Sequence, residues 1–205
     1  MSTDASSAPD GRQAALDRYD FRDLHPRLRF GTASDRYAGW IGKIYSERWS
    51  EQISSRKRTL QGKTYEERQV PVASVAEYFE HFSMLELDFT FYRPLLDAEG
   101  EPTSSLYTLD RYAQEAPPDA EFLVKAPQAY SARKVRRSGS FVKNETFLET
   151  DGYRSRFLDP LTETLGDRPA GVIFEEEYQR VSDSPNPPEN VEVLDAFFRA
   201  IPETP

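Results

Sequence analysis

Apolar and polar residues alternate strictly from Leu85 to Phe91, reading Leu-Glu-Leu-Asp-Phe-Thr-Phe. Side chains in an extended strand alternate between two faces. Leu85, Leu87, Phe89 and Phe91 would then share one face, and Glu86, Asp88 and Thr90 the other. An apolar face packed under helices and an acidic face turned inward suit a strand of a parallel barrel. This pattern predicts a strand over Met84 to Thr90. Further strands are predicted over Leu28 to Ala33, over Glu121 to Ala126 where Pro127 stops the run, and over Gly171 to Phe174.

Between these segments the period lengthens. Val75, Tyr78, Phe79 and Phe82 recur at i, i+3, i+4 and i+7, the stripe of an amphipathic helix. Ser74 with Glu77 three residues on forms a capping-box pattern at its start. Ser104 to Ala116 reads as a helix stopped by Pro117 and Pro118. Another runs from about Asn144 to Leu165, kinked or split at Pro160 and capped by Gly166. A Pro-rich loop, Ser184 to Pro188, leads to a last helix with Val191, Leu194, Phe197, Phe198 and Ile201. Residues 1 to 26 are polar and aperiodic, a flexible tail with a short helix near Ala14 to Tyr19. Residues 27 to 205 form a single α/β domain.

Four strand–helix units in succession imply a parallel sheet with right-handed crossovers. A closed eight-stranded barrel usually takes about 250 residues, whereas this chain has 205. The expectation is a TIM-barrel-like fold as an incomplete barrel of about four βα units. A doubly wound open sheet is the rival architecture.

Charge changes the picture. The chain holds 26 basic and 35 acidic residues, a net charge of −9, which argues against wholesale wrapping of nucleic acid. Yet Ile53 to Tyr65 carries Arg56, Lys57, Arg58 and Lys63 with no acid. Lys125 to Lys143 carries Lys125, Arg133, Lys134, Arg136, Arg137 and Lys143, again with no acid. Both segments follow predicted strands, at the end where parallel sheets bind ligands. There are no cysteines, which removes disulfides, thiolate metal sites and cysteine nucleophiles and leans towards the cytoplasm.

Five motifs in order resemble the domain-of-unknown-function-72 family, the YecE-like proteins. They are Arg29 to Ser34, Trp40 to Tyr45, Leu85 to Pro94, Phe122 to Pro127 and Gly171 to Phe174. The resemblance spans roughly residues 28 to 202 and implies a TIM-barrel-like fold, with this chain covering the N-terminal half to two-thirds of the family pattern. Asp88 stands where the family usually has Asn, and Glu175 where it usually has Gln. Gln128 to Val135 lacks the His that the family often carries there. The family's activity is not established, so the resemblance supplies positions and no reaction.

Candidate chemistry gathers at the strand ends. Lys125 leaves the face of Phe122 and Val124 and would point inward beside Glu86 and Asp88. A carboxylate and an ammonium in a partly dry site can do acid–base work, or can simply fix the strand register. Glu86, Lys125 and Asp88 are therefore the catalytic candidates. Tyr92 and Arg93 end the second strand and could stack on a ring and hold a phosphate. Trp40 lies in the first long connection, as a lid or a stacking platform. Arg133, Arg136 and Arg137 are the candidate phosphate ligands. Glu175 and Glu176, with Glu86 and Asp88, leave Mg²⁺ or Mn²⁺ open as a cofactor. A zinc site is not expected, because only His25 and His81 exist. The partners expected are an anionic or phosphorylated small molecule, more weakly a nucleic acid, and another copy through an uncovered sheet edge, with no membrane, since no apolar run reaches the length of about 18 residues that a spanning helix needs. The alternative to an enzyme is a non-catalytic binding protein or a truncated barrel that pairs with another chain.

Overall fold

The computed structural model describes residues 14, 17–22, 24–60, 62–177 and 187–201. Its strands are β1 (Gly31–Thr32), β2 (Ser54–Leu60), β3 (Lys63–Gln69), β4 (Met84–Leu87), β5 (Glu121–Lys125), β6 (Lys134–Arg137), β7 (Ser140–Lys143) and β8 (Pro169–Ile173). Its helices are α1 (Val75–His81), α2 (Ser104–Glu115), α3 (Gln128–Ser131), α4 (Thr150–Tyr153), α5 (Asp159–Leu165) and α6 (Pro187–Ala200). Strands β1, β4, β5 and β8 make one parallel sheet in that order, alternating with helices. The α/β class read from the sequence is observed. Among the described residues no closed barrel forms. No helix among them is long and apolar enough to cross a membrane.

The chain divides into two compact units, Met1–Leu85 with Glu115–Ala120, and Glu86–Gln114 with Glu121–Pro205. The first has Val70, Val75, Tyr78, Phe79 and Leu85 at its core. Tyr78 clamps β1 to β4. Its hydroxyl donates to Met84 O at 2.8 Å and accepts from Thr32 N at 2.9 Å. Gly31 permits the close approach of the two strands, since a Cβ there would lie 2.1 Å from Met84 O. β1 is shorter than the predicted Leu28 to Ala33, and Leu28 and Phe30 are exposed.

The expected capping box is not formed. A 3-10 turn, Val72–Ser74, precedes α1, so Ser74 already has helical φ and ψ and its hydroxyl donates to Pro71 O instead. Glu77 accepts from Ser46 N at 2.7 Å and Ser46 Oγ at 3.0 Å, and pairs with Arg48 at 2.5 Å. Burial penalises this carboxylate, but those partners outweigh it and hold its pKa below the usual value. Within the expected tail, Phe21 stacks on Phe82 and Arg22 pairs with Asp119 at 2.6 Å. Residues 1–13, Ala15 and Leu16 lie outside the described residues, as do Ser184 to Asn186 of the Pro-rich loop.

The second unit is built on Leu87, Leu95, Leu109, Phe122, Val124, Phe157 and Leu161. The predicted Asn144 to Leu165 helix starts later, at Thr150, where Glu149 caps it by accepting from Gly152 N at 2.8 Å. α4 passes into α5 through a π-helical turn, Arg154–Leu158. Pro160 has no N–H and its ring crowds the carbonyl four residues back. The wider turn just before it absorbs that mismatch, so the predicted kink or split takes the form of a π-helical interruption between α4 and α5. Gly166 caps α5 at φ +61°, as predicted.

Both basic segments, read from sequence as loops, fold into antiparallel hairpins, β2–β3 and β6–β7. Each closes on a tight turn ending in glycine, with Gly62 at φ +78° and Gly139 at φ +85°. Ser138 is also left-handed, at φ +49°, which gives β6–β7 the primed turn that matches strand twist.

Candidate functional site

In the second unit, period-two alternation buries Phe122 and Val124 and turns Lys125 to the other face of β5. Glu86 leaves β4 between buried Leu85 and Leu87 in the same way. The two meet as predicted, with Lys125 Nζ 3.5 Å from Glu86 Oε1. A second carboxylate joins them. Glu175, two residues past β8, lies 3.0 Å from Lys125 Nζ. The register explains why, because Lys125 sits opposite Ile173 at the C-terminal ends of β5 and β8. The side chains of Lys125, Glu86 and Glu175 are 23%, 21% and 37% exposed. Solvent reaches the cluster without flooding it. The Phe91 ring lies 5.9 Å from Nζ.

The close contact with the Glu175 carboxylate raises the Lys125 pKa, and the charge of Glu86 adds to it, while burial works against them. Lys125 is therefore an ammonium across the neutral range. It serves as a fixed cation and hydrogen-bond donor, not as a base.

Asp88 departs from the prediction. β4 ends at Leu87, and the chain turns at Asp88 (φ −89°, ψ −19°) into a 3-10 turn, Phe89–Phe91. Asp88 is exposed, and Thr90 is buried rather than inward beside Glu86. The Thr90 hydroxyl lies within hydrogen-bonding reach of Lys125 O at 2.7 Å and Leu87 O at 3.2 Å. The local reach back to Leu87 O competes with continuation of the strand, although the apolar alternation runs on. Tyr92 follows the turn at 64% exposure, edge-on to Phe91, and Arg93 is exposed beside it.

Arg133 packs at the root of the β6–β7 hairpin. Its guanidinium reaches Glu176 at 2.6 Å, donates to Asn190 Oδ1, and lies 4.5 Å from the Phe147 ring centre. The residue that begins the cationic hairpin is thus tied to the loop carrying Glu175. Arg136 and Arg137 lie farther along, exposed. An oxygen-rich metal site of Glu86, Asp88, Glu175 and Glu176 is not assembled. Glu86 and Glu175 face an ammonium, and Glu176 faces a guanidinium. Among the described residues no group of three or more acids and histidines could hold a metal ion.

Trp40 belongs to the first unit and packs on Tyr37, Tyr45 and Phe82. Tyr45 is buried there, and its hydroxyl donates to Asp35 O. The first basic segment meets its own counter-charge, since hairpin folding lays Glu67 on Arg56 at 2.5 Å and on Arg58 at 3.3 Å. The hydrogen bond from Arg56 is the largest cause of a lowered Glu67 pKa.

The sequence profile of the protein family of unknown function DUF72 matches residues 53–205. The chain belongs to the DUF72 family. The match covers the C-terminal portion of this chain, so Arg29 to Ser34 and Trp40 to Tyr45 lie outside it, and the expected N-terminal share of the family pattern is corrected accordingly. Glu86, Lys125, Glu175 and the β6–β7 hairpin all fall inside the DUF72 region. No curated protein and no solved structure gives a significant match.

Sequence reasoning places Glu175 only in a metal set and misses Asn144. Glu175 is one of three consecutive glutamates, and only the strand register distinguishes it from its neighbours. Asn144 is buried at the hairpin's end, and its Nδ2 donates to Ala129 O at 2.9 Å and Ala132 O at 2.7 Å.

Proposed function

We propose that this chain is a TIM-barrel-like enzyme of the DUF72 family that hydrolyses a phosphoester at the C-terminal ends of β4, β5 and β8. The observation that carries this reading is Lys125 held between Glu86 and Glu175 on a sheet face that packing alone would fill with apolar groups. Lys125 neutralises charge on the phosphoryl oxygens. Glu86 takes the proton of the attacking water as the new O–P bond forms. The ester O–P bond breaks, and the leaving oxygen takes a proton from solvent. Glu175 keeps Lys125 charged and aimed. Arg136 and Arg137 on the adjoining hairpin attract the anion.

The test is turnover of a small aryl phosphodiester, with Glu86→Gln and Lys125→Ala each expected to lower kcat at least a hundredfold. Full activity in either variant would end the proposal. A non-catalytic pairing protein is the second reading, favoured by β8 at the end of the sheet order and by exposed Val191, Val193 and Phe198 on α6. Sedimentation of a stable monomer at micromolar concentration would remove it.

A further inference from the structure

The β6–β7 register sets Lys134 opposite Lys143 and Arg136 opposite Phe141. By strand alternation these four residues share one face, and Val135, Val142, Arg137 and Ser140 share the other. Three cations thus flank one aromatic ring, with no acid between residues 134 and 143, and Lys143 pairs with Glu145 at 3.1 Å just past the strand. Phe141 is 49% exposed, so its ring is open to a flat partner on the cationic face.

The arm is rooted firmly. Asn144 N donates to Arg133 O at 2.9 Å, its side chain bonds the backbone of α3 and the following residue, and Arg133 is held by Glu176 and Asn190. The two-residue turn at Ser138 and Gly139 stiffens the tip. A rigid cationic face with an exposed ring fits a ligand that offers both phosphates and flat π surfaces. Bases of a duplex are stacked on one another, whereas bases of a single strand are open to an aromatic side chain.

We propose that the Lys134, Arg136, Phe141 and Lys143 face binds single-stranded nucleic acid, with a base stacked on Phe141 and the three cations on its phosphates. This rests on the phosphoester reading, whose substrate class it names. In a protein of net charge −9, such binding depends on this local face and falls as salt rises.

Fluorescence anisotropy with a labelled twelve-nucleotide oligothymidylate, its RNA counterpart and a duplex of about equal length decides the matter. The single strands should bind more tightly than the duplex. Phe141→Ala should weaken single-strand binding about tenfold, and Arg136→Ala should lower the salt slope by about 0.7 for each phosphate left without its cation. Equal single-strand affinity in the wild type and in both variants would overturn the proposal, as would no binding at low salt. Single-strand binding by a wild type that turns over no phosphoester would uphold this face and sink the hydrolase reading alone.

Discussion

Replacing Lys125 with Met removes the ammonium but keeps much of the side-chain volume, leaving Glu86 and Glu175 facing one another. The two pairs, at 3.5 Å and 3.0 Å from one nitrogen, bound the separation of these oxygens at about 6.5 Å, for which Coulomb's law gives about 2.5 kcal/mol of repulsion at an effective dielectric constant near 20 and about 0.6 kcal/mol in water. Glu175 is 37% exposed, so the effect lies towards the lower end, and about 1 kcal/mol of destabilisation is expected after solvent screening. The sharper reading is a change of sign. In the wild type, Glu175→Gln discards an attractive pair and destabilises. In the Lys125→Met background it removes a repulsion and stabilises. Urea unfolding of the wild type, both single variants and the double variant measures this at pH 7 and low salt. Additive effects of the two substitutions would refute the idea that Lys125 is the shared counter-ion.

Asn144→Ala strips donors from the carbonyls of Ala129 and Ala132 inside the hairpin root; about 2–4 kcal/mol should be lost in chemical denaturation, and a loss under about 1 kcal/mol would contradict the rooted-arm description. Gly31→Ala places a Cβ 2.1 Å from Met84 O, so β1 must part from β4, and hydrogen exchange at Thr32 should quicken strongly. Burial pushes the Tyr78 phenol up to about 12, with Asp35 adding to it and bonds to Thr32 opposing. A folded value above the unfolded one near 10 gives stability that is intact below about pH 10 and is lost as pH rises towards 12, about 3 kcal/mol in all. Tyr78→Phe should flatten that alkaline decline in pH-dependent unfolding, and parallel curves for the two proteins would count against it.

The inward acid and ammonium were legible because Leu85 and Leu87 on β4, and Phe122 and Val124 on β5, declare their buried face at period two, which leaves Glu86 and Lys125 no other direction. The same rule failed three residues on. Phe89, Thr90 and Phe91 keep the alternation while the backbone turns, because Phe91 is buried in the tight turn and the Thr90 hydroxyl reaches Leu87 O within it. The hairpins were hidden for another reason. Ser138-Gly139 is a turn dipeptide, but β2 and β3 are mostly polar, and Val135, Phe141 and Val142 are split between the two faces of β6–β7, so no apolar alternation marks the hairpins. Ser74 and Glu77 matched a capping pattern, yet Pro71 starts the helical winding three residues early. Glu175 could be placed only once the pairing of β5 with β8 was known.

The wide turn between α4 and α5 makes that helical run a joint with slack in it. One surplus residue is stored in Arg154–Leu158, where the sequence neighbours Phe157 and Leu158 are both buried. Deleting a single residue there would restore ordinary winding without unseating Gly166 at the far end. Loss of one residue is therefore more easily accommodated at this segment than elsewhere in the run, giving a rewound helix rather than a broken one.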